Sequence, residues 1–106
     1  MKKIYKRSHL LKDAELRFAP VVIRVQDFTP KSAKEFSDQM QLAHNTGQPI
    51  IPIVIDSYGG QVYSLMAMIS EIQNSSLPVA TIVQGKAMSC GAILSTFGAE
   101  NMRYID

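Results

Sequence analysis

An α/β fold on a parallel sheet is what this sequence predicts, and three observations carry that reading. Compact β-branched runs occur at residues 21–25, 50–55 and 79–83, and the segments between them place apolar residues at helical spacing. Proline, glycine, asparagine or aspartate punctuates the ends of these runs. Strands joined by helix-length connections need crossovers, and strands linked in that way lie parallel with right-handed connections.

The elements follow in order. Leu10, Leu11, Ala14 and Phe18 are spaced for a short helix before Ala19-Pro20. Residues 21–25, bounded by Pro20 and Asp27, read as a first strand that should be largely buried. Thr29-Pro30 is a helix start, because threonine can cap and proline is tolerated at the first helical position. Ala33, Phe36, Met40 and Ala43 then mark one face, and Gly47 closes the element. Residues 50–55 supply the second strand, in which Pro52 lacks a ladder donor and so predicts a bulge or an unpaired stretch. Val62, Leu65, Met66, Ile69 and Ile72 are expected to face inward from a second helix that ends near Asn74-Ser75-Ser76. Pro78 opens the third strand. With no repeat, low-complexity stretch or linker, the sequence divides into a basic arm with a short helix over residues 1–19 and one α/β core over residues 20–106.

Composition narrows the class. The chain of 106 residues is 46% hydrophobic and 19% charged, ordinary for a globular domain. A domain this small buries a limited share of its surface, which favours association. The formal charge of +2 is uneven: Lys2, Lys3, Lys6, Arg7 and Lys12 precede the first acid, Asp13, and leave the rest net negative. That arm reads as a solvated segment, since no nucleic-acid motif accompanies it and the only aromatic residue among its basic positions is Tyr5. No apolar run is long enough to span a bilayer and no secretory apolar region is present, so the expected compartment is cytoplasmic. A lone cysteine, Cys90, cannot form an internal disulfide, and no Cys/His spacing suggests a metal; neither metal nor cofactor is expected.

Chemistry concentrates at two strand-to-helix junctions. The run Gly85-Lys86-Ala87-Met88-Ser89-Cys90-Gly91-Ala92 follows the third strand, and Ile53-Val54-Ile55-Asp56-Ser57-Tyr58-Gly59-Gly60 ends the second on a double glycine. Ligands of open parallel sheets bind beyond the carboxyl ends of strands, where both junctions fall. A serine beside the free N–H groups of a helix start could attack a carbonyl and stabilise the resulting oxyanion, and glycine lets a second backbone N–H approach. The plain alternative for Ser89 is a helix N-cap.

These two runs, in this order and at this separation, resemble the proteolytic subunit of the Clp protease family. The resemblance extends from about Val21 to Ile105 and includes the tail Phe97-Gly98-Ala99-Glu100-Asn101-Met102-Arg103-Tyr104. It implies a crotonase-like spiral of βαβ units, truncated after the nucleophile helix. It also implies a Ser-His-Asp peptidase with Ser89 as nucleophile and the N–H groups of Gly60 and Cys90 as oxyanion hole, with Gly59 the rival for Gly60. The implied substrate is a peptide or unfolded protein, the implied assembly a homo-oligomeric ring, and the implied partner an AAA+ unfoldase.

In the family the triad histidine and aspartate follow the nucleophile, whereas His9 and His44 both precede Ser89 and the sequence ends at Asp106. The chain therefore reads as the first half of a Clp-type subunit with an incomplete triad. One alternative is a non-catalytic subunit acting in assembly with homologues; another is a crotonase-fold acyl-CoA binder. The Ile-Asp-Ser-Tyr-Gly-Gly run is also similar to the signal peptide peptidase A family, which uses a Ser-Lys dyad. Lys86 does not inherit that lysine's role and reads as a solvent-facing turn residue, with Asp27 and Asp56 as strand-end turn residues, Ser57 as a polar turn residue and His44 beside a helix end.

Overall fold

The computed structural model describes residues 18–106; the basic arm and all of the expected short helix except Phe18 lie outside them. Four strands, β1 (Ile23–Val25), β2 (Ile51–Ser57), β3 (Val79–Ala87) and β4 (Arg103–Ile105), alternate with helices α1 (Pro30–Ala43), α2 (Val62–Gln73) and α3 (Cys90–Ser95). All pairings are parallel, and the strands lie side by side in chain order. This is the α/β parallel architecture that the strand and helix periodicities predict.

Strands in monotonic order, joined by crossovers of one hand, gather their helices on one face of the sheet. Accordingly α1 packs on α2, and α2 on α3. The core is Ile23, Val25, Ile51, Ile53, Ile55 and Val79 of the sheet against Phe36, Met40, Leu65, Met68, Ile72 and Leu94 of the helices. One covered face also corrects the expectation for residues 21–25. Ile23 and Val25 are buried, but Arg24 and Val22 are exposed, so the strand alternates instead of being buried throughout.

Thr29 caps α1 as its sequence predicts. Its side chain accepts from the Ser32 N–H at 3.0 Å, and Ser32 Oγ accepts from the Thr29 N–H at 2.9 Å, which satisfies two donors that the helix start would leave free. Replacing Thr29 with alanine is expected to lower stability by about 1 kcal/mol. A urea unfolding curve with an unchanged midpoint would refute this.

Distant contacts settle two local expectations, choosing the unpaired stretch over the bulge at Pro52 and shifting the face of α2. Pro52 forms no bulge, and pairs in register opposite Ala80. The Ile51 N–H donates to the Pro78 carbonyl on the β3 side, so alternation turns the Pro52 nitrogen toward β1, whose ladder starts only at Ile23 and Ile53. The missing donor falls where no partner strand exists. Helix α2 buries Ser64, Leu65, Met68 and Ile72 and leaves Val62 and Met66 exposed. Its phase is set at the first turn by the Gln61 N–H, which donates to the Phe28 carbonyl at 2.8 Å. Strand β4, which no periodicity marks, lies beside β3 with Thr81, Ile82 and Val83 opposite Arg103, Tyr104 and Ile105.

Candidate active site

The two junctions meet. Pairing of β2 with β3 is regular to Ile55 and Val83, and then shifts so that the next pair is Ser57 with Ala87. Beyond the shift the Met88 N–H donates to the Ser57 carbonyl at 3.0 Å, which carries the β3 junction alongside the β2 junction. Ser57 is the polar turn residue expected, although buried: it ends β2, and its Oγ accepts from the Gly59 N–H at 3.0 Å.

Ser89 stands at the N-cap position of α3 with φ 52° and ψ −117°. For a residue other than glycine this left-handed backbone costs about 1–3 kcal/mol and persists only where its surroundings impose it. Sharp strand-to-helix turns of this kind lift a serine hydroxyl clear of the sheet. Ser89 is exposed, and its side chain makes no capping hydrogen bond, so it occupies a cap position without acting as a cap.

Gly59 and Gly60 face this turn from β2. A Cβ built on Gly59 would lie 2.9 Å from Ser89 Cβ and 3.4 Å from Ser89 Oγ, and Gly59 has φ +116°. Both the contact and the dihedral require glycine. A Cβ on Gly60 would meet the Phe28 carbonyl oxygen at 2.6 Å, since Gly60 bridges the backbone of Phe28. The thiol of Cys90, buried, donates to the Gly60 carbonyl at 3.5 Å and ties the start of α3 to the same turn.

The backbone donors differ in their engagement. The Gly59 N–H is committed to Ser57 Oγ, whereas no acceptor among the described residues takes the Gly60 N–H. Cys90 is the first residue of α3, so its N–H has no partner within the helix. Ser89 Oγ and two uncommitted N–H groups thus belong to two adjoining turns.

The groups that could serve as base lie elsewhere or are occupied. His44 follows α1 at the amino end of β2, with Nδ1 2.7 Å from the Met40 carbonyl oxygen and Nε2 3.0 Å from Ser75 Oγ. The seven residues of β2 separate that end from Ser89 by roughly 20 Å. His9 lies outside the described residues.

Lys86, read from sequence as a solvent-facing turn residue, is ion-paired with Asp56: Nζ lies 2.7 Å from Oδ1 and 4.6 Å from the centroid of the Tyr58 ring. The hydrogen bond from Lys86 holds the Asp56 carboxyl below its ordinary 3.8, and its counterpart holds the Lys86 ammonium above its ordinary 10.5. A raised lysine is the wrong poise for a general base near neutrality.

The signs of these shifts fix a pH window. Asp56 contributes stability above its ordinary value, and loses it as pH falls through its depressed folded value; Lys86 contributes below its ordinary value, and loses it as pH rises through its raised folded value. The difference in thermal midpoint between the parent and Lys86→Met is therefore expected to stay constant from about pH 5 to pH 9 and to shrink only beyond both ends. A difference that changes through neutrality would mean that another group titrates with the pair.

Among the described residues no cluster of His, Cys, Asp or Glu could hold a metal ion, and no helix is long and apolar enough to cross a membrane. Comparison with known proteins places this geometry in context. The ATP-dependent Clp protease proteolytic subunit 1 of Chlamydia muridarum is 40% identical over 78 residues, covering 72% of this chain and 40% of that protein. The subunit 1 of Chlamydia caviae is 35% identical over 95 residues, 87% of this chain and 49% of that protein. The Clp protease proteolytic subunit of Cyanophora paradoxa is 43% identical over 54 residues, 51% of this chain and 28% of that protein. The chain spans about half the length, or less, of these curated relatives. The family model described as Clp protease matches residues 7–105, and with that match the chain belongs to the Clp protease family.

Proposed function

We propose that this chain supplies the nucleophile and the oxyanion-binding half of a Clp-type serine endopeptidase site. The observation that carries the reading is the strained, uncapped Ser89 lying against a glycine turn with a free backbone donor. Ser89 Oγ attacks the scissile carbonyl carbon of a peptide while a base takes the hydroxyl proton. The carbonyl oxygen becomes an oxyanion that the N–H groups of Gly60 and Cys90 receive. Gly59, the alternative donor, is committed to Ser57 and shapes the turn instead. Collapse of the intermediate expels the amine, which leaves with a proton, and the acyl group remains on Ser89 until water releases it.

The base comes from outside the described residues, since His44 is held at the far end of β2 and Lys86 is paired with Asp56. Membership of the family supports peptide or unfolded-protein substrates, ring assembly of like subunits, an AAA+ unfoldase as partner and a cytoplasmic setting as parts of the same proposal. The engaged state of His44 and Lys86 also favours a second reading, in which the chain is a non-catalytic subunit assembled with homologues.

A fluorophosphonate separates the two, because it reacts only with an activated serine. Intact mass should show one adduct, located by peptide mapping on Ser89. A folded chain, by circular dichroism, that gains no mass either alone or mixed with a full-length homologue lacking its own nucleophile would overturn the catalytic reading in favour of the assembly reading.

A further inference from the structure

The Asp56–Lys86 pair lies at the one irregularity in the β2–β3 ladder. Between the pairs Ile55–Val83 and Ser57–Ala87, β3 has three residues where β2 has one. Such a bulge leaves backbone groups without ladder partners and needs something to hold its shape. Gly85 turns it with φ +99°, and a Cβ there would lie 2.8 Å from Asp56 Oδ1, so the carboxylate packs directly on the glycine. The same oxygen accepts from the Lys86 backbone N–H at 3.3 Å and from Lys86 Nζ at 2.7 Å. The carboxylate therefore stands in for a strand partner. On its far side the Lys86 ammonium covers the ring of Tyr58, the residue before Gly59.

We infer that Asp56 is a positioning residue: by filling the β3 bulge, it sets how far the chain advances before Ser89 and so fixes Ser89 against the Gly59–Gly60 turn. A shorter path through residues 84–86 would withdraw Met88 and Ser89 from Ser57 and Gly59. A longer one would drive Ser89 Cβ into Gly59. Lys86 contributes from the other strand, since one side chain reaches both the carboxylate of Asp56 and the ring that precedes the glycine turn. Neither residue touches a reacting atom.

This inference rests on the proposed role of Ser89, so its test carries one readout that depends on that role and one that does not. In the full chain, Asp56→Ala should lower the fluorophosphonate labelling rate of Ser89 roughly 100-fold, the scale of loss expected when a reacting group is displaced by about 1 Å. Asp56→Asn keeps the acceptor oxygen and should recover most of that rate. Independently, the backbone amide resonances of Gly59, Gly60, Ser89 and Cys90 should shift in Asp56→Ala and stay in place in Asp56→Asn. If the parent does not label but these resonances move as stated, the peptidase reading fails and the positioning role stands. If Asp56→Ala perturbs only the amides of residues 55–57 and 84–87, the positioning role is overturned, whatever the labelling result.

Discussion

Ser89→Ala is expected to abolish the fluorophosphonate adduct while leaving the fold intact. The hydroxyl is the only group lost, and because it makes no capping bond its removal leaves no helix donor newly unpaired. Alanine keeps the strained backbone, so unfolding should change little. Ser89→Gly separates strain from chemistry: it too loses the adduct, yet it releases a φ of 52° that glycine adopts freely, and should raise stability by about 1 kcal/mol or more. The measurement is intact mass after reaction, together with urea unfolding of parent and both variants. An adduct that survives in Ser89→Ala would place the reactive group elsewhere, and equal stability of the alanine and glycine variants would mean that the turn is not strained.

Gly60→Ala should show the second large effect. Its added methyl would fall 2.6 Å from the Phe28 carbonyl oxygen, 2.8 Å from Phe28 Cβ and 2.9 Å from the Phe28 nitrogen. None of these is the yielding end of a flexible side chain, and Phe28 itself is fully buried. Either the Gly60 peptide or the Phe28 segment must move, with a stability loss of roughly 1–3 kcal/mol. Movement of the peptide re-aims its N–H, and losing one oxyanion donor lowers such reactions by on the order of 10²–10³-fold. The second-order rate of fluorophosphonate labelling, taken where the variant is folded, reads this directly. A rate within a few-fold of the parent would exclude the Gly60 N–H as a donor and return attention to Gly59.

Much of this architecture could be read from residues close together in sequence. Thr29-Pro30 starts α1, and the β-branched runs are strands, because capping and periodicity are local properties. The convergence of Ser89 with Gly59-Gly60 was readable because parallel strands end together and both motifs sit at carboxyl ends. Features set by distant contacts were not. Helix α2 carries apolar residues around most of its circumference, so periodicity could not fix its phase; the anchor of Gln61 on Phe28 did. At Pro52 the sequence leaves a bulge and an unpaired stretch equally open, because which side lacks a neighbour is decided by a distant strand. The true irregularity depends on Asp56 meeting Gly85 and Lys86, a pairing across thirty positions that no short motif announces. Strand β4 is three residues long, all exposed, with no alternation to mark it.

The chain-order arrangement of the strands also bears on how the molecule assembles. Each strand contacts the one before and the one after it, with β2 and β3 separated by the same number of residues along their regular stretch. Native contacts thus link successive βαβ segments, each strand docking on the one that precedes it across a helix-length connection. The Ser89 turn is held by Ser57 and Gly59 of the earlier segment, so it depends on β3 being paired with β2. The costly backbone at Ser89 is thus a property of the paired strands and not of the local segment, and it lasts only as long as β2 and β3 stay in register.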